Sequence, residues 1–271
     1  MSKVCETFQI NTELITYYVI ENMKKFGLIG FPLVHSFSYK YFTEKFEKEQ
    51  LNGYKYFNFP IPDIDEFPSI IEQNPNLYGL SVTSPYKRQV IRFLDQTDQA
   101  AKEIHAVNCI KIERNGSKKP LLIGYNTDIY GFTKSLKPFL TDLIKQALII
   151  GTGGAADAVK YSLEKMNITC KFVSASKTGE NIYSYNRLNK NIIEDNLLII
   201  NATPVGMFPN IQNFPEIPYN FLTGKHICFD LIYNPEQTVF LQKAKEKGAI
   251  IINGMEMLIF QAEKAWEIFN E

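Results

Sequence analysis

The chain has few of the residues that build metal sites and disulfide frameworks. Only four cysteines and three histidines occur among its 271 residues, and no two cysteines have the CxxC spacing of a zinc or redox site. The scatter of Cys5, Cys109, Cys170 and Cys228 along the chain is typical of buried thiols in a reducing cytoplasm. The sequence therefore predicts neither a metal centre nor a disulfide framework.

Net charge and long apolar runs are also missing. Lys plus Arg and Asp plus Glu both number 29, so the chain creates no field that would attract nucleic acid or an anionic membrane. No apolar stretch approaches the roughly 20 residues that cross a bilayer, and Glu6, Glu13 and Glu21 argue against a signal peptide. We therefore expect a cytoplasmic protein with neither nucleic acid nor membrane as a partner.

The chain instead alternates short apolar runs with segments of helical spacing from residue 26 onward. This alternation predicts an α/β fold with mostly parallel sheets and right-handed crossovers, and the length suits two domains. We expect a substrate-binding domain over residues 1–126, a Rossmann-like nucleotide-binding domain over residues 127–253, and a C-terminal helix over residues 254–271 that packs back on the first domain. Residues 1–22 show only weak hydrophobic patterning. Either they are an appended segment, or the start codon is placed too early.

Several local patterns give more specific predictions. Pro85 suits the first turn of a helix, so residues 86–94 are predicted to be helical. The turn Arg114-Asn115-Gly116 between two short strands predicts a β-hairpin. In the second half, helices are predicted between strands at residues 171–174, 197–201, 227–231 and 249–252.

The segment around Gly151 is the strongest single signal. A purely apolar run ends there, and Gly153, Gly154 and a helical pattern that begins at Ala155 follow. Strand, glycine turn and helix in this order direct backbone N–H groups and the positive end of a helix dipole to one point, which suits a pyrophosphate. Taken alone, the loop is equally compatible with a simple tight turn.

Polar residues follow the predicted strands of the N-terminal half, where open α/β sheets bind ligands. Each has an ordinary explanation as well. Ser36 and Ser38 can together bind a carboxylate, but Ser38 alone is more often a helix N-cap. A lysine at position 87 is usually a surface charge, Asp128 suits a helix cap, and Gln261 suits a polar surface.

Eight motifs in a fixed order favour the functional explanation. They are HSxS at 35–38, VTxPYK at 82–87, AVN at 106–108, NTD at 126–128, GxGGA at 151–155, NATPxGM at 201–207, DLxYNP at 230–235 and the ending NGxxMLxxQAxxAWE. On these motifs, nearly the whole chain from residue 26 resembles the shikimate dehydrogenase family. The resemblance implies the reversible, NADPH-dependent reduction of 3-dehydroshikimate to shikimate in the biosynthesis of aromatic amino acids.

The resemblance also implies roles for individual residues. Lys87 and Asp128 are implied as the catalytic pair, because the alkoxide that hydride attack creates needs a proton from a nearby acid, and a carboxylate keeps that lysine charged. The implied substrate contacts are Ser36 and Ser38 for the carboxylate, and Thr83, Asn108, Tyr233 and Gln261 elsewhere on the molecule. The implied cofactor contacts are Gly151, Gly153, Gly154, Ala155, Ser174, Ser176, Lys177, Thr203 and Gly254.

Three positions depart from the family pattern. Ser81 stands where the family usually has Asn, so a single hydroxyl replaces an amide that has two donors and a longer reach. Tyr39 stands where the family often has Pro. Ala175 stands where NADP-using members usually have an arginine that grips the 2′-phosphate.

The departure at Ala175 leaves the choice of cofactor partly open. No Asp or Glu lies between residues 172 and 178 to bind both ribose hydroxyls, as NAD enzymes require. Lys177 and its hydroxyl neighbours can receive a phosphate, although without the bidentate fork of an arginine. We therefore expect NADP with weakened discrimination against NAD. An NAD-using quinate or shikimate dehydrogenase and a non-catalytic ligand-binding relative remain alternatives, and both a monomer and a homodimer are compatible with the resemblance.

Overall fold

The computed structural model describes residues 23–33, 36–114, 116 and 119–271. The N-terminal lead with Cys5, His35 of the HSxS motif and Asn115 of the predicted turn lie outside the described residues. The chain divides into two compact units, one that ends at Asn126 and also contains Glu267–Glu271, and one that comprises Thr127–Trp266. The division differs from the predicted boundaries in the C-terminal helix, of which only the last residues group with the first unit.

The first unit contains a six-stranded sheet. Its strands are β1 Lys24–Gly30, β2 Tyr54–Pro60, β3 Leu77–Val82, β4 Gln96–Thr97, β5 Cys109–Glu113 and β6 Leu121–Tyr125. Their order across the sheet is β2-β1-β3-β5-β6-β4. β1 is parallel to β2 and β3, whereas β5 is antiparallel to β3 and β6. The β5–β6 pair is the predicted hairpin.

The helices of the first unit are α1 Phe37–Lys48, α2 Phe67–Gln73 and α3 Gln99–Ile104. The aromatic residues of α1 recur at helical spacing, so Phe42 and Phe46 are buried on one side of the helix. Phe42 stacks on Tyr56 with ring centroids 4.7 Å apart, and Phe46 contacts Phe26 at 6.0 Å. These contacts hold α1 against β1 and β2 and thereby fix where the helix begins.

The helix predicted over residues 86–94 is instead a turn followed by the 3₁₀-helix Gln89–Phe93. The Lys87 carbonyl accepts the Val107 N–H at 2.8 Å, which takes this carbonyl out of the i→i+4 ladder that an α-helix needs. A tertiary hydrogen bond thus overrides the local signal of Pro85.

The second unit contains a six-stranded parallel sheet in the order β12-β11-β10-β7-β8-β9. Its strands are β7 Gln146–Ile150, β8 Thr169–Val173, β9 Ile182–Tyr183, β10 Leu198–Asn201, β11 Ile227–Asp230 and β12 Ile250–Ile252. Its helices are α4 Asp128–Leu136, α5 Gly154–Lys165, α6 Lys190–Asp195, α7 Val239–Glu246 and α8 Met255–Asn270. Every strand predicted in this half overlaps an observed one.

The connection between β10 and β11 differs from the prediction of helices between all the strands of this half. It contains only a 3₁₀-helix, Tyr219–Phe221. Pro204, Pro209, Pro215 and Pro218 lie within it, and each removes a backbone donor and obstructs a continuous helix. The connection is therefore irregular by composition.

The end of α8 packs on the sheet of the first unit, as the sequence predicts. Phe269 stacks on Phe26 with ring centroids 5.5 Å apart, and a Cβ on Gly79 would lie 2.3 Å from Phe269 Cδ1. Glycine at position 79 is what permits this close approach. Within the described ranges, no helix is long and apolar enough to cross a membrane.

Candidate active site

Thr83 and Asn108 lie at one edge of the first sheet. The Thr83 N–H donates to the Ile29 carbonyl at 3.0 Å. The Asn108 carbonyl accepts the Val82 N–H at 2.8 Å, and the Asn108 N–H donates to the Tyr125 carbonyl at 3.0 Å. These backbone bonds fasten both residues to the strand ends where the sequence predicts a ligand, and Asn108 is buried there.

Lys87 is half-buried in the turn that follows β3. The bond from Val107 to its carbonyl holds its backbone beside Asn108, the next residue along. This backbone bond fixes where the Lys87 side chain begins, next to the strand ends that carry Thr83 and Asn108.

Ser36, rather than Ser38, is the N-cap of α1. The Ser36 Oγ accepts the Tyr39 N–H at 3.1 Å, and Ser38 lies in the first turn of the helix. Accepting this bond leaves the Ser36 proton able to donate. The cap also gives a reason for Tyr39, because a proline at that position has no N–H to donate.

Ser81 has a buried partner that sequence reasoning missed. The Tyr56 hydroxyl donates to Ser81 Oγ at 2.9 Å, with both residues buried. Burial raises the pKa of Tyr56 well above its usual range, although hydrogen bonds to Ser81 and Ser38 act in the opposite direction. The phenol is therefore a permanent donor. The available signal was its place on the inward-facing side of β2, since a buried tyrosine hydroxyl usually has a partner.

Asp128 and Gln261 are both in the second unit. Asp128 is the first residue of α4, and its N-cap is Thr127, which makes no side-chain capping bond. The Thr127 hydroxyl donates instead to Gln261 Oε1 at 3.4 Å, and Gln261 Nε2 donates to the Leu258 carbonyl. Gln261 is 8% exposed. Neither a helix cap for Asp128 nor a polar surface for Gln261 is therefore the right description.

The glycine loop has the shape of an open cradle. Gly151 has φ +108°, and a Cβ there would lie 2.8 Å from Thr203 Cγ2. Gly153 is the N-cap of α5, and a Cβ on Gly153 or Gly154 would meet no atom within 4 Å. Gly153, Gly154 and Ala155 are exposed. The positive end of α5 is thus accessible to an anion such as a pyrophosphate.

The segment after β8 contacts the glycine loop. The Ser174 Oγ accepts the backbone N–H groups of Ser176 at 3.3 Å and of Lys177 at 3.0 Å. The Lys177 Nζ donates to the Thr152 carbonyl at 3.2 Å. Two predicted cofactor-binding segments therefore lie side by side, and Lys177 brings a positive charge next to the loop.

The buried carboxyl group of Asp230 is linked through Asn201 to Thr203, which lies beside the glycine loop. Sequence reasoning did not assign it a role. Asp230 accepts hydrogen bonds from Asn201 Nδ2 at 3.0 Å, the Thr238 hydroxyl at 2.6 Å and the Ile232 N–H at 3.0 Å. Burial raises the pKa of Asp230 to about 6. Asn201 Oδ1 in turn accepts both the N–H and the hydroxyl of Thr203. Its place in the DLxYNP motif was the signal for Asp230.

Gly254 and Tyr233 lie near the end of β11. Gly254 is buried, and a Cβ there would lie 2.1 Å from the Leu231 carbonyl oxygen, so backbone packing alone demands glycine. Tyr233 is half-buried, and burial raises its pKa. Among the residues that the structure describes, no group of three His, Cys, Asp or Glu side chains gathers in a way that could hold a metal ion.

Comparison with known proteins shows the family of this chain. The sequence model of the shikimate dehydrogenase substrate binding domain matches residues 28–110. A protein of Desulforamulus reducens named shikimate dehydrogenase (NADP(+)) is 36% identical over 90% of this chain and 89% of its own. One of Methanococcus maripaludis with the same name is 38% identical over 91% of this chain and 92% of its own. The chain belongs to the shikimate dehydrogenase family.

Membership in the shikimate dehydrogenase family confirms the resemblance drawn from the eight motifs. A solved structure of a shikimate dehydrogenase in complex with NADP+ has a TM-score of 0.79 with this one, at 33% identity over 92% of this chain and 90% of the solved one. The predicted two-domain α/β architecture with a Rossmann-like part is thereby confirmed. The roles of the individual side chains stay predictions.

Proposed function

We propose that this protein reduces 3-dehydroshikimate to shikimate with NADPH, and that the reaction is reversible. The observation that carries the proposal is the similarity to proteins named shikimate dehydrogenase (NADP(+)), which spans about nine-tenths of this chain. Lys87 and Asp128, the two residues needed for proton transfer, are both present in their motifs.

Lys87 is the acid in this proposal. When bound, NADPH supplies the hydride that reduces the ketone. The oxygen of that ketone gains negative charge during the reduction, and the Lys87 ammonium stabilises the charge and donates a proton to it. We assign Asp128 as the other member of the catalytic pair that the family resemblance implies. The half-buried position of Lys87 supports its role, since interactions between charges are stronger where water is partly excluded.

The remaining polar side chains recognise the substrate. Ser36 and Ser38 donate to its carboxylate, and the Ser36 proton is not consumed by the capping bond. We assign contacts with the ring hydroxyls to Thr83 and Asn108 of the first unit. Tyr233 and Gln261 belong to the second unit, and we assign them substrate-binding roles on the family resemblance.

The second unit binds the cofactor in this proposal. The accessible start of α5 and the absence of any atom near a Cβ on Gly153 or Gly154 fit the approach of a pyrophosphate. The 2′-phosphate is bound by Lys177 and by the hydroxyls of Ser174 and Ser176. These groups take the role of the usual arginine, because Ala175 stands at its position. Ala155 lies at the same helix start, and Thr203 lies beside Gly151. We assign Gly254 to the cofactor site on the family resemblance.

An assay of the purified protein with 3-dehydroshikimate and each nicotinamide cofactor tests the proposal. We expect oxidation of NADPH, with a higher kcat/KM for NADPH than for NADH. Activity with quinate and NAD alone would instead identify an NAD-using quinate dehydrogenase. Binding of shikimate without any turnover would identify a non-catalytic relative.

A further inference from the structure

We propose that Tyr56 is a positioning residue for substrate binding, because its buried hydroxyl donates to Ser81 Oγ and so fixes the direction in which the Ser81 hydroxyl can itself donate. The inference rests on the proposed function and deepens it. Ser81 replaces an amide of the family pattern. Tyr56 belongs to none of the motifs that carry the resemblance.

The Tyr56 side chain, on β2, passes over β1 to reach Ser81 on β3. Tyr56 lies opposite Phe26 of β1, and Ser81 lies opposite Leu28 of the same strand on its other side. Because side chains in register on parallel strands point to the same face, the ring of Tyr56 extends over β1 toward β3. Phe42 of α1 stacks on this ring at an interplanar angle of 13°. This stacking and the bond to Ser81 together fix the position of the hydroxyl.

The direction of the bond between Tyr56 and Ser81 decides which proton stays available. A phenol has a single proton, and the Tyr56 proton goes to Ser81 Oγ at 2.9 Å. The Ser81 hydroxyl accepts this bond and keeps its own proton.

The Ser81 proton can therefore be donated to a ligand. Hydrogen bonds in a chain polarise one another, so the Ser81 hydroxyl becomes a better donor than an isolated serine. Ser81 therefore compensates for the amide of the family pattern through the hydroxyl that stands behind it. We assign this donor to an oxygen of the substrate.

Asn58 gives an independent sign that this face receives a polar ligand. It lies two residues after Tyr56 on the same face of β2, opposite Leu28. Its Oδ1 is buried and has no hydrogen-bond partner among the described residues. Since a buried acceptor without a donor is costly, a ligand hydroxyl is a fitting partner. A donor at Ser81 and an acceptor at Asn58 flank Leu28, which suits a ligand with several hydroxyl groups.

The variant Y56F tests the proposal because it removes one hydroxyl and keeps the ring. We expect the KM for 3-dehydroshikimate to rise about 3- to 10-fold, the range of one net hydrogen bond, while kcat and the KM for NADPH stay within about 2-fold. S81A should raise the same KM by a similar factor. The double variant Y56F/S81A should add little further, since the two residues act through one hydrogen bond.

The matched control is Y219F in the second unit. The Tyr219 hydroxyl donates to the Pro215 carbonyl at 2.6 Å, so this variant also loses a tyrosine hydrogen bond and lowers the melting temperature. It should leave the KM for 3-dehydroshikimate unchanged. A melting temperature lowered in both variants with KM raised only in Y56F separates positioning from general stability.

Two results would overturn the inference while leaving the proposed function intact. One is an active wild type whose KM is unmoved in Y56F, and the other is an increase in KM in the double variant that equals the product of the two single increases. A wild-type protein that neither reduces 3-dehydroshikimate nor binds shikimate would overturn the proposed function and this inference together.

Discussion

The two units present their predicted ligand-binding groups in different ways. In the first unit the groups are side chains, and individual hydrogen bonds orient them, as with Ser36 at the start of α1 and Ser81 behind Tyr56. In the second unit the backbone itself forms the cradle, with Gly151 at φ +108° and an accessible helix start at Gly154.

This difference indicates which amino-acid substitutions each unit tolerates. Side-chain recognition depends on single atoms, so one substitution can change which substrate is accepted. A backbone cradle depends on φ and on free space, so it tolerates nearby side-chain changes but not an added Cβ. The departures from the family pattern fit this division, since Ser81 has acquired a supporting hydroxyl and Ala175 leaves the cradle itself untouched.

Replacement of Lys87 tests the first unit, where side chains form the predicted site, and has the largest expected effect. We expect K87A to lower kcat by on the order of 10²-fold or more, because it removes the general acid. K48A, which removes an exposed lysine from the end of α1 in the same unit, is the control and should retain the wild-type rate. Unchanged turnover in K87A would remove this lysine from the mechanism.

Alanine at two glycines of the loop distinguishes backbone strain from blocked access of the cofactor in the second unit. G151A forces alanine into φ +108° against Thr203, at a cost on the order of 1–3 kcal/mol. We expect a lower melting temperature and a KM for NADPH raised by about 5-fold or more, since about 1.4 kcal/mol corresponds to a factor of ten.

G153A is the matched variant. Position 153 has φ −92° and free space around an added Cβ, so the melting temperature should stay near that of the wild type. Its KM for NADPH should still rise, because the methyl group stands where a phosphate approaches. Equal melting temperatures for G151A and G153A would contradict the role assigned to the left-handed backbone at Gly151.

Asp230 tests whether a buried side chain governs the stability of the second unit. Its pKa is raised to about 6 from an ordinary 3.8, so the folded state holds the proton more tightly than the unfolded chain. The contribution of this group to the free energy of unfolding is therefore full below about pH 4 and is lost as pH rises through about 6.

D230N cannot ionise, so it lacks this dependence. We expect the wild type to gain about 1 kcal/mol relative to D230N between pH 7 and pH 5, because one pKa unit corresponds to about 1.4 kcal/mol. Thermal unfolding of both proteins across this range measures the difference. A constant gap between the two would show that Asp230 does not titrate there.

Lys177 gives the smallest expected effect, since it is a side chain added to a backbone cradle. K177A should raise the KM for NADPH by about 2- to 5-fold, as expected of one exposed charge pair, and leave the KM for NADH unchanged. K171A removes the Lys171 ammonium, which bonds to Asn181 in the neighbouring segment, and is the control. An equal loss of affinity for both cofactors would argue against a 2′-phosphate contact at Lys177.

Much of the fold was predictable because its signals are local. Apolar runs of strand length ended by Gly30 or Gly151 predicted β1 and β7, and the spacing of Phe42 and Phe46 predicted α1. The same locality explains the helix predicted over residues 86–94. Pro85 carries a helix signal, but the Val107 N–H that captures the Lys87 carbonyl comes from a segment twenty residues further along the chain.

The candidate site was predictable to a similar extent. The motifs named Ser36, Lys87 and the glycine loop, since these residues are recognised by type and order. Tyr56 and Asp230 were not assigned roles, because their importance lies in what they contact, and neither contact is encoded in the adjacent residues.

The sequence alone thus determined the family, the alternation of strands and helices, and the chemical groups available for proton transfer and phosphate binding. Only the tertiary structure decided that Ser36 caps α1, that Tyr56 supports Ser81, and that a buried carboxylate underlies Thr203. The physical reason is that backbone propensity depends on neighbours in the chain. Hydrogen-bond partners and burial depend on strand register, which brings together residues far apart in the sequence.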